Sequence, residues 1–338
     1  MRALSVSFSQ TLGFKRQDKV EFSSVCHVRT EASELNMRIS SFLFLTLLLI
    51  KASAQDEASS PSGVSFDAKP ADTHVSRYKD WMSKLPDSLT LAQLSIPGTH
   101  DSGARFDGLS FGFAKCQSWS ISDQLAAGVR FLDIRCRHLK NEFHIYHGVV
   151  DQKLTFESVV HDCQEFLNKH PLECVIMAIK RESTPRQNSR SFRETFEAAI
   201  ENKPAIWWRG SKVPALKEVR GKIVLVDRVS SLGGLPWRML NKQDRYTASV
   251  DEKQKLIRKQ FEATVADHQG GWHLNYCSGT VPAELLTPRR YAALTNEYTL
   301  HLIQEFPSDQ HLGTVIMDFP SEIIIGEIID ANSVNLGP

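Results

Sequence analysis

The sequence predicts a single α/β domain of TIM-barrel type, a (β/α) barrel that is distorted, irregular and not necessarily closed. Three observations lead there. Short apolar runs alternate with helical periods along the chain, those runs are almost continuously apolar, and nearly every one ends in a charge or a histidine. Alternating strand and helix calls for a parallel sheet. A continuously apolar strand is what a sheet covered on both faces requires. The 338 residues have room for one such barrel, which commonly takes about 250. A composition of 41% hydrophobic and 23% charged residues is that of a globular chain.

The amino-terminal stretch stands apart from that pattern. Residues 1–36 are polar, patternless and unsuited to export, and read as an upstream extension ahead of a true start at Met37. From Met37 to Ala54 the chain reads MRISSFLFLTLLLIKASA. Arg38, the apolar run Ile39–Ile50 and Ala52-Ser53-Ala54 form the three regions of a secretory signal peptide. The run falls short of the roughly twenty residues that span a bilayer core. Residues 55–76, rich in Ser, Asp, Ala and Pro, read as a linker, which leaves 77–338 as the folded domain of a secreted, extracellular protein.

Export gives the cysteines a meaning. Cys26 precedes the signal; Cys116, Cys136, Cys163, Cys174 and Cys277 follow it. An odd number in an oxidising compartment predicts up to two disulfides and a leftover thiol, with Cys116–Cys136 and Cys163–Cys174 as the local pairings. Buried free thiols are the alternative. No CxxC or Cys/His spacing marks a metal site. A net charge of +1 without a Lys/Arg cluster excludes a strongly basic nucleic-acid binder. No GxGxxG or GxxxxGK[ST] follows the first strand, so a nucleotide fold lacks its usual support. No obligate protein partner is implied.

The predicted strands are Leu91–Ile96, Arg130–Arg135, Cys174–Lys180, Lys222–Asp227, Trp272–Cys277 and Gly313–Asp318. A helix over Thr155–Lys169 ends ahead of Pro171. Ser191 with Glu194, and Ser249 with Glu252, have the spacing of capping boxes that open helices. Pro288–Phe306 and Pro320–Asp330 each place proline near the start, where a helix tolerates it.

Barrel enzymes build their sites at the carboxyl ends of their strands. Here those ends supply Gly98-Thr99-His100-Asp101-Ser102-Gly103, then Asp133-Ile134-Arg135, Lys180-Arg181-Glu182, Asp227-Arg228 and finally Asp318. A short run, Phe143–Tyr146, adds His147-Gly148. A charge at one strand end is explained by a solvated loop; repetition at almost every strand is not. Two histidines, several basic side chains and several carboxylates at one mouth suit cleavage of a phosphodiester. One imidazole removes a proton from the attacking hydroxyl and another protonates the leaving oxygen. Guanidinium or ammonium donors hold the phosphate charge.

The same residues carry a resemblance. IPGTHDSG (Ile96–Gly103), GVRFLDIRCR (Gly128–Arg137), YHG (Tyr146–Gly148), RGKIVLVDR (Arg220–Arg228) and VIMDF (Val315–Phe319) resemble the X-type catalytic domain of bacterial phosphatidylinositol-specific phospholipases C, in order and spacing, from about Trp81 to Asn332. The resemblance implies His100 as general base for the inositol 2-hydroxyl, with Asp318 holding its other nitrogen. It implies His147 as general acid, assisted by Asp101, and Arg135 on the phosphorus charge with Asp133 beside it. Lys180 and Arg228 fall where the family contacts the inositol ring, with Glu182 in support. The implied products are diacylglycerol and a cyclic inositol phosphate, since the neighbouring hydroxyl is placed for in-line attack. The implied partner is a phospholipid at a membrane surface.

Arg135 also speaks against a metal cofactor, because the calcium-dependent relatives carry an acidic side chain in that region. A guanidinium supplies the charge and repels a cation, and Asp101 matches the metal-free form. The headgroup segment departs from the family: Gly233-Gly234-Leu235-Pro236-Trp237 has no carboxylate before Asp244. Trp237 and Tyr276 are the aromatic candidates for the ring. Two other readings therefore stay open, a catalytically silent module that binds phosphoinositides or glycolipids, and a phosphodiesterase for another diester such as a glycosylated anchor. Trp207-Trp208 has the residues to enter a membrane interface, but packing under the Pro204–Pro214 loop is the favoured reading.

Overall fold

The structure, a computed structural model, describes residues 71–307 and 310–333. The upstream extension, the signal peptide and the linker as far as residue 70 lie outside the described residues. Residues 72–76, which composition assigns to the linker, belong instead to helix α1 (Asp72–Tyr78). This helix docks on the far end of the chain. Arg77 Nη2 and Tyr78 Oη both donate to Asp330 Oδ2, at 2.8 and 2.7 Å.

The strands in chain order are β1 (Ile96–Thr99), β2 (Phe131–Leu139), β3 (Glu142–His147), β4 (Val150–Thr155), β5 (Val175–Arg181) and β6 (Trp207–Trp208). There follow β7 (Ile223–Asp227), β8 (Leu235–Pro236), β9 (Asn241–Gln243), β10 (His273–Tyr276) and β11 (Thr314–Met317). Helices α2 (Ile121–Ala126), α3 (Phe156–Lys169), α4 (Phe192–Ile200) and α5 (Leu216–Val219) alternate with them, then α6 (Val250–Ala266), α7 (Pro288–Glu305) and α8 (Glu322–Asp330). The sheet runs β6-β7-β5-β2-β1-β11-β10-β9, parallel at every step. The β3–β4 hairpin is an antiparallel excursion from β2, and β8 pairs with β7. Among the described residues no ladder joins β9 to β8 or β6, so the barrel is irregular and open on that side, as its class allowed.

Local chemistry explains most of the boundaries. Ser191 Oγ accepts from the Glu194 amide while Glu194 Oε2 accepts from the Ser191 amide, a complete capping box at the start of α4. Ser249 caps α6 and Thr155 caps α3 in the same way on one side. Pro288 opens α7 behind Thr287, whereas α8 starts two residues after Pro320, behind Ser321. The first strand differs from expectation. Leu91–Gln93 is a 3-10 turn, because the Gln93 side-chain carbonyl turns back to accept from the Thr90 amide at 2.9 Å. The strand begins at Ile96 and includes Pro97 and Gly98, residues that an apolar-run criterion passes over.

Burial is complete along β7 and nearly so along β5, which is why these runs are apolar throughout. At the end of the sheet away from the mouth, Arg130 and Glu173 form a fully buried ion pair, Nη2 to Oε2 at 2.8 Å. Arg130 also donates to the Leu125, Val129 and Lys79 carbonyls, and Glu173 Oε1 accepts from the Ser83 amide. That network sews the amino-terminal segment to the strands. The predicted disulfides do not form: Cys116, Cys136, Cys163, Cys174 and Cys277 are all free and buried. They sit on separate elements of a closely packed interior, where a thiol serves as a small apolar side chain. Trp207 is buried, with its ring centroid 5.6 Å from Phe196 and 6.2 Å from Phe156, so it belongs to the core.

Removing one partner of the buried pair leaves the other charge uncompensated. Glu173→Ala is expected to lower the unfolding free energy by about 3–5 kcal/mol, measured by chemical denaturation. A loss within a few tenths of a kcal/mol would show that the pair is not what holds this end together.

Candidate active site

The β1–β11 register pairs Thr99 with Met317, so the next residues, His100 and Asp318, leave the ladder side by side. His100 Nδ1 lies 2.8 Å from Asp318 Oδ1, both side chains essentially fully buried. On its other side β1 approaches β2 so closely that a Cβ on Gly98 would stand 2.9 Å from the Phe131 Cβ, which explains glycine at that place in the motif. Asp101 and Phe319, each one residue past the pair, take left-handed backbone with φ of 39° and 44°. Side-chain amides hold these turns. Gln117 Nε2 donates to the His100 and Met317 carbonyls, and Gln124 Nε2 to the Ser102 carbonyl.

On the other side of Arg135 sits a second pair. His147 Nδ1 is 3.2 Å from Asp101 Oδ2, with the imidazole partly open to the mouth. The Gly148 amide donates to Glu182 Oε1 at 3.0 Å, tying the turn after His147 to the end of β5. Arg135 links the two pairs. Its Nη2 is 2.5 Å from His100 Nε2, and its Nη1 is 3.5 Å from Asp101 Oδ2. A guanidinium carries donors only. The His100 Nε2 must therefore be the bare nitrogen, and the ring proton sits on Nδ1 facing Asp318.

The other predicted residues converge on the same mouth. Asp133, fully buried, receives Arg228 Nη1 at 2.7 Å and Arg135 Nη2 at 3.3 Å. Lys180 Nζ pairs with Glu182 Oε2 at 3.1 Å, and Glu182 reaches Arg135 at 4.0 Å. The Arg228 guanidinium stacks 4.1 Å from the centroid of Trp237, which is half-buried at the mouth. Tyr276 is corrected in role: it is fully buried, and its hydroxyl accepts from Arg228 at 3.3 Å, so it braces the arginine from behind. Asp227 is structural. Its carboxylate accepts from the amides of Val229, Ser230, Leu232 and Gly233 and so fixes the loop that carries Trp237.

Two residues at the site escape the sequence reading. Past β9, Asp244 Oδ2 lies 3.5 Å from Arg228 Nη2, and the Tyr246 ring lies 5.1 Å from that of His100. A carboxylate and a tyrosine two residues apart are thus supplied a little downstream of Gly233–Trp237. The only signal was their own spacing, since β9 is too short to stand out.

Burial sets the electrostatics. It drives the His100 imidazole well below its usual pKa, and the facing Arg135 adds to the effect. It lowers His147 to about 4, again with Arg135 contributing. It pushes the Asp101 carboxyl up to about 7 against the pull of Arg135. For Asp133 burial opposes ionisation, but Arg228 and Arg135 outweigh it and hold the carboxyl well below the ordinary range. Between the two midpoints the Asp101–His147 pair keeps a single proton, while Asp133 remains an anion between two guanidiniums.

A (β/α) barrel with paired imidazoles and a guanidinium at the carboxyl ends of its strands has the equipment of a phosphodiester-cleaving enzyme. The family described as phosphatidylinositol-specific phospholipase C, X domain, matches residues 108–229. The 1-phosphatidylinositol phosphodiesterase of Listeria monocytogenes is 34% identical over 286 residues, covering 76% of this chain and 86% of that protein. The enzyme of the same name from Staphylococcus aureus is 26% identical over 330 residues, covering 86% and 98%. The solved phosphatidylinositol-specific phospholipase C of L. monocytogenes superposes with a TM-score of 0.67 at 33% identity, covering 75% of this chain and 98% of that one. The chain belongs to the phosphatidylinositol-specific phospholipase C X-domain family.

Carboxyl-carbon NMR is expected to show Asp101 titrating near 7, with His147 uncharged down to about 4. Since Arg135 favours the Asp101 anion, Arg135→Leu should move the Asp101 midpoint higher. An Asp101 midpoint in the usual carboxyl range would contradict this pairing.

Proposed function

We propose that the chain is a phosphodiesterase that cleaves phosphatidylinositol to diacylglycerol and a cyclic inositol phosphate, with these residues in the following roles. The bare Nε2 of His100 takes the proton of the inositol 2-hydroxyl as that oxygen attacks phosphorus, and Asp318 stabilises the imidazolium that results. Arg135 exchanges its contact with Nε2 for the phosphoryl oxygens and holds the charge that develops on them. The Asp101–His147 pair delivers its proton to the departing diacylglycerol oxygen. Lys180, Arg228, Asp244 and Trp237 receive the inositol ring, with Asp133, Glu182 and Tyr276 fixing the cations among them. The observation that carries this reading is the placing of one guanidinium between two histidine–carboxylate pairs.

In this scheme Arg135 supplies the positive charge a catalytic cation would otherwise bring, so turnover needs no metal. The mouth is also suited to a phospholipid surface. Phe106 and Leu109 after β1, Val149 after β3, and Met239 in the 3-10 turn Trp237–Met239 after β8 are exposed large apolar residues. Among the described residues no helix is long and apolar enough to cross a membrane, so contact from one side is the mode proposed. The signal-like segment Met37–Ala54 supports action outside the cell.

His100→Ala and His147→Ala should each cut release of cyclic inositol phosphate from phosphatidylinositol vesicles by about 10²–10⁴-fold or more, with melting temperature little changed. The wild-type rate should survive a strong calcium chelator. Near-wild-type turnover in either variant would refute the acid and base roles of the two histidines, and complete loss with chelator would refute the metal-free step.

A further inference from the structure

Cys116 is an unused group beside this machinery. It is fully buried, and its Sγ lies 3.5 Å from His147 Nδ1. The ligand atoms of Asp101, Cys116 and His147 all lie within 4.8 Å of one another. Two of the separations can be compared with a metal polyhedron. A tetrahedral zinc with bonds of about 2.3 Å to sulfur and about 2.0–2.1 Å to nitrogen and oxygen places sulfur about 3.6 Å from nitrogen, and nitrogen about 3.4 Å from oxygen. Here the sulfur–nitrogen distance is 3.5 Å and the His147 Nδ1–Asp101 Oδ2 distance is 3.2 Å.

The second sign is Asp101 itself. Its side chain is fully buried, yet neither carboxylate oxygen has a hydrogen-bond partner; its contacts are the ionic ones to His147 and Arg135. Buried carboxylates in that condition are costly, and a cation would relieve the cost. The ligands are also held in place. The Cys116 amide donates to the Ala104 carbonyl at 2.8 Å, and its carbonyl accepts from the Phe319 amide at 3.1 Å. A thiolate, an imidazole and a carboxylate form a donor set for zinc rather than for calcium or magnesium.

We propose that Asp101, Cys116 and His147 form an inhibitory zinc site. Zn²⁺ enters from the mouth beside the partly open His147 and displaces two protons to solvent, that of the Cys116 thiol and the one shared by Asp101 and His147, whose place it takes. Its fourth position faces the mouth. The thiolate and carboxylate together balance the ion's charge, which offsets the repulsion from Arg135. With zinc bound the pair has no proton to give the leaving oxygen. The inhibition, though not the binding, rests on the function proposed above.

The test titrates Zn²⁺ into the full chain during cleavage of phosphatidylinositol vesicles, and Co²⁺ into the full chain alone. Wild type should be inhibited reversibly, with activity restored by chelator. Cys116→Ser should keep its basal rate and need about a hundredfold more zinc. Independently of turnover, Co²⁺ should give a near-ultraviolet thiolate-to-cobalt absorption band in wild type that is missing from Cys116→Ser. Equal zinc sensitivity in the two proteins, or no cobalt–thiolate band in wild type, would overturn the proposal. A cobalt band in a protein that cleaves no lipid would sustain the metal site and sink the functional reading instead.

Discussion

Arg135 brings one positive charge into a space lined by the carboxylates of Asp101, Asp133 and Glu182 and by the imidazole of His100. Burial displaces His100, Asp101 and Asp133 from their ordinary chemistry, and the guanidinium reinforces or opposes that displacement at each of them. It blocks a proton from Nε2 of His100 and so selects the tautomer that can act as a base. It disfavours the charged form of His147 while Asp101, nearby, is deprived of water. With Arg228 it keeps Asp133 ionised in a site where burial alone would neutralise it. In a low dielectric these effects are strong because no solvent competes with them.

The fold makes that arrangement possible by register more than by any single contact. Parallel pairing of β1 with β11 and of β2 with β5 sets Thr99 beside Met317 and Arg135 beside Lys180. The functional side chains follow from those alignments at one end of the sheet. The opposite end is sealed by Arg130 and Glu173, whose ion pair serves the scaffold. The two ends thus use buried charge differently. At the base the arginine and glutamate are paired with each other and with backbone, whereas at the mouth Asp101 and Asp318 keep carboxylate oxygens with no hydrogen-bond partner. Unpaired buried polarity of this kind destabilises a protein, and an active site is where such a cost is tolerated.

Much of this was legible in the residues. The alternation of apolar runs and helical periods announced the barrel, and the charges at strand ends announced its mouth. The pairing of His100 with Asp318 and of His147 with Asp101 was what the family resemblance implied. What stayed hidden depended on three-dimensional approach. The chain at Pro97–Gly98 does not look like a strand, because tight packing rather than propensity makes it one. The free cysteines could not be told from bridged ones by spacing. Asp244 and Tyr246 reach the site through a strand of three residues that leaves no periodic trace. Tyr276 was visible as an aromatic at a strand end, but its burial behind Arg228 was not.

The base role of His100 turns on its tautomer, and nitrogen-15 NMR reads that directly. At neutral pH the free protein should show a neutral ring with a protonated Nδ1 and a bare Nε2, and it should keep that state well below the usual histidine midpoint. An imidazolium at neutral pH, or a proton on Nε2, would contradict the placing of the guanidinium and the base role built on it.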